Sequence, residues 1–296
     1  VAFISNLENP ADLSGNNNLY TVPSKGGDPD LLWKNARVSG PMALGWSPDG
    51  KYLAFSGRSQ EKPRLPSHRN RDVWILPVEG GEPKNLTANY DRTESWHRQL
   101  YERIWSPDSK HVYFKVDDRG AKRILRASLD GEVEHLTAEK ANVGRFGFSL
   151  DKTGSKMVYT SSDLVTPFEL WIRDEKGTRR LTYLHKELLS TLTVNKPEEF
   201  WFTASDGAKV HGWIIKPHDF EEGKKYKTIL EIHGGPGFTS YGFMFAATEH
   251  EFQVLANHGY VVFYTNPRGS TGYGHAFSNT SGRHGERDFQ DIMESV

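Results

Sequence analysis

Lys227-Thr-Ile-Leu-Glu-Ile-His-Gly-Gly-Pro-Gly237 runs a short, mostly apolar segment straight into a glycine-rich turn, with one histidine at the junction. The apolar segment reads as a buried strand. The turn offers backbone N–H groups with no side chains in front of them, so an acyl oxygen gaining negative charge can approach closely. A charge-stabilising site at the end of a strand is therefore the first expectation. The chain contains no Gly-x-Ser-x-Gly and no cysteine, so neither a serine on a nucleophile elbow nor a thiol accompanies the turn.

The flanking sequence extends this strand into a sheet. Residues 243–258 fit a helix, with Phe245, Phe252 and Leu255 among its apolar positions and Gly259 at its stop. Tyr260-Val-Val-Phe-Tyr264 is a second continuous apolar strand, and the order strand, helix, strand implies a mainly parallel sheet. Asn266-Pro-Arg-Gly-Ser-Thr-Gly-Tyr-Gly274 follows as a tight loop at that strand's carboxyl end, where open α/β sheets hold their ligands. Upstream, residues 199–203 and 209–216 form a hairpin about Asp206-Gly207. Residues 287–296 have helical spacing at Phe289, Ile292, Met293 and Val296 with no Gly or Asn stop. Together with a start, Val1-Ala-Phe-Ile-Ser5, that has neither Met nor a leader pattern, this predicts a sequence cut at both ends.

Residues 41–182 instead repeat one pattern. Aromatic strands end in Trp46-Ser-Pro-Asp-Gly50, Trp105-Ser-Pro-Asp-Ser109 and Phe148-Ser-Leu-Asp-Lys152, at spacings of 59 and 43. A second strand, a third strand and a glycine turn follow each. Every unit then closes on Leu-Thr, at Asn85-Leu-Thr87, His135-Leu-Thr137 and Arg180-Leu-Thr182. Four strands per unit and a period in the forties point to propeller blades. A partial unit built from residues 1–5, 18–21 and 31–33 precedes them, giving about three and a half four-stranded blades, too few to close a ring. The expected boundaries are 1–195 for the partial propeller and 196–296 for the rest.

With a formal net charge of −1, the chain has no general attraction for nucleic acid. No run of about 18 apolar residues suggests a membrane-spanning helix. Without cysteine there is no disulfide and no thiolate metal site, and the compartment stays open. Asn85-Leu-Thr and Asn279-Thr-Ser are glycosylation triplets only in a secreted eukaryotic chain. His250-Glu251 lacks the second histidine of a zinc helix, so no metal is expected. Asp288, Asp291 and Glu294 read as the wet face of the last helix. The basic insertion at 58–71, with Arg58, Arg64, Arg69 and Arg71, is either a solvated surface loop or one that steers acidic substrate ends.

Ser-Pro-Asp-Gly units followed by Ile232-His-Gly-Gly-Pro236 and, 35 residues on, by Asn-Pro-Arg-Gly-Ser-Thr-Gly-Tyr-Gly, resemble the prolyl oligopeptidase family of serine peptidases, closest to its acylaminoacyl-peptidase and dipeptidyl-peptidase-5-like branch. The resemblance covers essentially the whole chain and implies propeller blades followed by the N-terminal part of an α/β-hydrolase domain. It implies that the Gly235 N–H donates to the oxyanion, with Gly234 and Pro236 shaping the turn. His233 borders the site or anchors the loop. Arg268 holds a substrate carbonyl or carboxylate, or pins its loop to the sheet. Gly269, Gly272 and Gly274 are turn residues. Ser, Asp and His of the catalytic machinery are expected beyond Val296, so this piece alone is expected to be inactive. The resemblance further implies no cofactor, a short peptide substrate, the missing C-terminal part of the catalytic domain as partner and a homo-oligomer as an option. The activity it implies is release of dipeptides or acylated amino acids from peptide N-termini. The rival readings are a non-catalytic binding propeller with a vestigial hydrolase domain, and an esterase.

Overall fold

The structure is a computed structural model that describes residues 1–7, 17–34, 44–57, 70–95, 104–235, 240–245, 250–280 and 283–296, the side chains of residues 145, 146 and 250 excepted. Strands β1 (Ala2–Ser5), β2 (Asn18–Thr21) and β3 (Asp30–Trp33) form one antiparallel sheet, and β4 (Gly45–Trp46), β5 (Tyr52–Gly57), β6 (Asp72–Pro77) and β7 (Lys84–Asn85) form the next. Two further units are β8 (His111–Asp118), β9 (Ala121–Ser128) and β10 (Val133–His135), then β11 (Asn142–Leu150), β12 (Met157–Ser162), β13 (Glu169–Asp174) and β14 (Gly177–Arg180). These last two are linked into one seven-stranded sheet by a single parallel pair, Asn142 with Lys122.

The repeat in the sequence is a repeat in hydrogen bonding. Ser47 Oγ donates to Asp49 (2.6 Å) and accepts the Tyr52 N–H (2.9 Å); Ser106 Oγ does the same with Asp108 (2.6 Å) and His111 (2.9 Å). Each serine thus closes the turn that feeds the second strand. The closing threonines are equally regular. Thr87, Thr137 and Thr182 accept the N–H of Val73, Ile124 and Leu170 at 3.0, 3.1 and 2.9 Å, where the fourth strand would otherwise leave the third unpaired.

Apolar faces pack in series. Leu19 meets Leu53, Phe55 and Leu76; Ala54 and Ile75 meet Trp105, Phe114 and Leu125; Tyr113 and Ile124 meet Val143, Phe148 and Tyr159. Facing sheets bury these side chains between them, at roughly 1.5–3 kcal/mol per large side chain.

After a short helix, α1 (Lys186–Ser190), the pattern changes to β15 (Glu198–Thr203), β16 (Lys209–Ile215), β17 (Thr228–Glu231), α2 (His250–Asn257) and β18 (Val261–Asn266), in the sheet order β15-β16-β18-β17. Helices α3 (His275–Ser278) and α4 (Arg287–Glu294) follow. Only β17 and β18 pair in parallel; β16 lies antiparallel to both β15 and β18, so the described sheet is mixed where a mainly parallel one is expected. The tight turn at Asp206-Gly207 forces that hairpin. The helix expected over 243–258 is described from His250, residues 246–249 lying outside the described set. Phe243 stands apart from it, its N–H donating to Gly120 O at 2.9 Å. α4 also turns over: Phe289, Met293 and Val296 are exposed, and the supposedly wet Asp291 is fully buried.

The stacked sheets meet the α/β sheet at the β8–β9 turn. Arg119 N–H donates to Gly272 O (3.0 Å), Thr271 Oγ1 to Asp117 (3.0 Å) and His275 N–H to Asp91 (2.8 Å). The contact is close enough that a Cβ on Gly242 would lie 1.9 Å from Gly120 O. Of the basic insertion, residues 58–69 lie outside the described set. Arg71, grouped with it in the sequence reading, is instead buried against Glu94, with its Nη2 on the Glu94 carbonyl at 2.8 Å.

Candidate active site

Parallel pairing of β17 with β18 places Glu231 opposite Tyr264, and carrying that register two residues further sets His233 level with Asn266. Both residues lie just where the strands end and their loops begin. The Asn266 side chain, fully buried, is the centre of the site. Its Oδ1 accepts the Tyr241 N–H at 2.7 Å and its Nδ2 donates to Tyr241 O at 2.9 Å, so the amide grips both polar groups of one residue and its orientation is settled. The same Nδ2 donates to Tyr273 Oη at 2.7 Å, which frees the tyrosine proton for His211 Nδ1 at 2.8 Å. His211 Nε2 then faces Glu199 Oε1 at 3.1 Å.

His211 lies between tryptophans, stacked on Trp201 with centroids 4.1 Å apart and tilted on Trp213 at 4.0 Å. Burial lowers its pKa to about 4 against the pull of Glu199, so the ring is neutral. Burial also raises the Tyr273 phenol far above its usual range. Burial opposes ionisation of Glu199, but the Lys140 ammonium, hydrogen-bonded to it, helps outweigh that and hold the carboxyl below its usual value. Lys140 pairs with Glu199 across a cleft of about 560 Å³ that also includes Asp163, Lys196 and Phe243, between the stacked sheets and the α/β sheet.

His233 is half-buried, its Nε2 3.2 Å from Asn266 Oδ1 and 3.1 Å from Ser270 Oγ, its Nδ1 3.0 Å from Gly234 O. Burial lowers its pKa, partly offset by those acceptors. Ser270 and His233 have the look of a nucleophile and base, but Ser270 is buried and gives its proton to Pro267 O at 2.7 Å. With the serine turned inward in this way, the pair anchors the loop.

Gly234 and Gly235 are exposed. Gly235 has φ +73°, a conformation costly for any residue with a Cβ, and no hydrogen bond of its N–H is found among the described residues. Pro236 lies outside them. Arg268 is held within the chain: Nε and Nη2 bind Asp291 at 3.0 and 2.7 Å, Nη1 binds Asp206, and the backbone N–H adds a bond to Asp291 at 2.7 Å. The anchor points are a helix and a hairpin turn, where the sequence suggested the sheet. Gly272 and Gly274 do more than turn: a Cβ would meet Arg119 N at 3.0 Å or Asp91 Oδ2 at 2.4 Å, so both let the stacked sheets approach. Asn266, Tyr241, Tyr273 and His211 were not singled out from the sequence. The one signal that could have found them was the register of the two apolar strands.

Residues 246–296 match the model of the prolyl oligopeptidase family. The chain is 37% identical over 195 residues to the uncharacterized peptidase YuxL of Bacillus subtilis, an alignment that takes in 65% of this chain and 29% of that protein. To dipeptidyl-peptidase 5 of Porphyromonas gingivalis it is 24% identical over 306 residues, 87% of this chain and 44% of that one. The Pyrococcus horikoshii acylaminoacyl peptidase superposes with a TM-score of 0.73 at 27% identity, covering 94% of this chain and 40% of that structure. The chain thus spans less than half the length of each of these relatives.

Proposed function

We propose that this chain, whose residues 246–296 match the prolyl oligopeptidase family and which is similar to peptidases over most of its length, supplies the substrate gate and half of the oxyanion site of a serine peptidase acting on short peptides. In this reading the enzyme releases N-terminal dipeptides or acylated amino acids through an acyl-enzyme. The observation that carries it is Gly235, an exposed amide with φ +73° beyond the end of β17. As the scissile carbonyl turns tetrahedral, its oxygen takes up charge, and a pre-oriented N–H stabilises it without reorganising. The N–H following the nucleophilic serine is the natural second donor. That serine, with its Asp and His, lies outside these 296 residues in this reading, since the chain has no Gly-x-Ser-x-Gly. Similarity to proteins named peptidase, dipeptidyl-peptidase and acylaminoacyl peptidase supports peptide as substrate.

The sheets from β1 to β14 are read as about three and a half blades of a propeller over residues 1–195, and residues 196–296 as the opening of an α/β-hydrolase domain. Their role is steric. A channel or side gap too narrow for folded chains limits substrates to short peptides.

The test uses the natural full-length protein. Labelling by a fluorophosphonate, together with cleavage of peptides bearing free or acylated N-termini but not of a folded protein, is the expected result. Peptide binding with no labelling returns the site to a non-catalytic binding module, and turnover of esters alone makes it an esterase.

A further inference from the structure

Gly235 can serve as an oxyanion donor only if its N–H is held in place to within about half an ångström, and the polar contact described within the turn itself is that of His233 Nδ1 with Gly234 O at 3.0 Å. Gly234 and Gly235 are exposed, and a Cβ on Gly234 would find no atom within 4 Å. Glycines have more backbone freedom than any other residue. Among the described residues the amide is flanked by His233, which also meets Gly234 O, before it and by Tyr241 after it.

Both are held by one side chain. Asn266 Oδ1 lies 3.2 Å from His233 Nε2 and accepts the Tyr241 N–H at 2.7 Å, while Nδ2 returns a bond to Tyr241 O at 2.9 Å. The remaining proton of Nδ2 goes to Tyr273 Oη at 2.7 Å. Only a short, uncharged group with one acceptor and two donors in a plane fits these partners. Aspartate has the shape but would set a carboxylate oxygen against Tyr241 O. Asn266 is also rigidly based: it is the last residue of β18, paired with His211 of β16, and it is fully buried.

We propose that Asn266 is the positioning residue of the oxyanion site, acting through His233 and Tyr241 to aim the Gly235 N–H, with Tyr273 fixing the Asn266 amide in turn. The inference rests on the peptidase reading above. Asn266 does not touch the substrate. Its loss should leave substrate binding intact and weaken only interactions made when the carbonyl carbon is tetrahedral.

The experiment compares parent, Asn266→Ala and Tyr273→Phe full-length protein, with active sites titrated by a fluorophosphonate so that misfolded molecules are not counted. For Asn266→Ala, kcat per titrated site is expected to fall about 10- to 100-fold. KM should stay within about threefold, and affinity for a peptide boronate, which forms a tetrahedral adduct, should drop in parallel with kcat. Tyr273→Phe should move kcat and boronate affinity the same way by about two- to fivefold. A purely structural role would lower the number of titratable sites and leave kcat per site and boronate affinity unchanged. That result overturns the proposal, as does a loss confined to KM. If Asn266→Ala does not fold, Tyr273→Phe decides alone, and unchanged kcat and boronate affinity overturn the role. A parent that reacts with neither probe nor peptide brings down the peptidase reading and this inference with it; a reactive parent with unchanged variants brings down this inference only.

Discussion

In the stacked sheets the Ser-Pro-Asp turns are tied chiefly by their own serines: Ser47 reaches Asp49 and Tyr52, two and five residues away, Ser106 repeats the arrangement, and Asp49 N–H adds a bond to Ser109 Oγ of the next unit at 3.1 Å. In the α/β sheet the ties are long and single. Arg268 reaches Asp291 over 23 residues and Asp206 over 62, and Asn266 reaches His233 over 33. Repetition spreads stability over many modest, equivalent bonds, whereas the sheet that carries the glycine turn depends on a few buried polar groups with no duplicate. A single substitution should therefore cost much more in the second region than in the first.

The largest effect is expected at the Arg268–Asp291 pair. Asp291→Ala leaves a buried guanidinium without its main partner, and a loss of about 3–5 kcal/mol in chemical unfolding is expected; a loss below about 1 kcal/mol would break the contrast between the regions. Next comes acidification. His211 is neutral in the fold with its pKa lowered to about 4, against 6.5 for an ordinary histidine. Between those values the unfolded chain binds a proton that the fold refuses, so stability falls as pH falls through this window. The expected loss is on the order of 2–3 kcal/mol. Glu199, also lowered, adds to it in the same direction as pH drops further. Tryptophan fluorescence of Trp201 and Trp213, which flank the ring, follows this transition, and His211→Gln should flatten it.

Gly242→Ala tests the seam between the regions. Its Cβ would be forced within 1.9 Å of Gly120 O, and the backbone must move apart. A loss of about 1–3 kcal/mol is expected, with faster hydrogen exchange at Phe243 N–H, whose acceptor is Gly120 O. The smallest effect belongs to the repeats: Ser106→Ala and Ser47→Ala should each cost about 0.5–1.5 kcal/mol, and to a similar extent, because the two serines share two matching bonds, with the Lys110 N–H a third at Ser106 at 3.1 Å. Unequal costs would show that the repeats are alike in sequence but not in energetics.

Patterns confined to a few residues were legible without coordinates. Alternating aromatic strands, Ser-Pro-Asp turns and Leu-Thr closures each announce a local hydrogen-bond scheme, and residues 227–237 announce a strand ending in a bare turn, because strand period and glycine conformation are properties of adjacent residues. Side-chain partners from distant segments were not legible. Asp291 has the spacing of a solvent-facing residue on α4 and is drawn inward only because Arg268 arrives beneath it from a loop 23 residues earlier. The Asn266 side chain makes four hydrogen bonds to three residues, and His233 is among them only because β17 and β18 pair in one register. Chain-local chemistry dictates which turns and strands can form. Which buried polar group meets which partner depends on strands brought together from far apart, since a desolvated donor or acceptor must be satisfied by whatever packing places within about 3 Å of it.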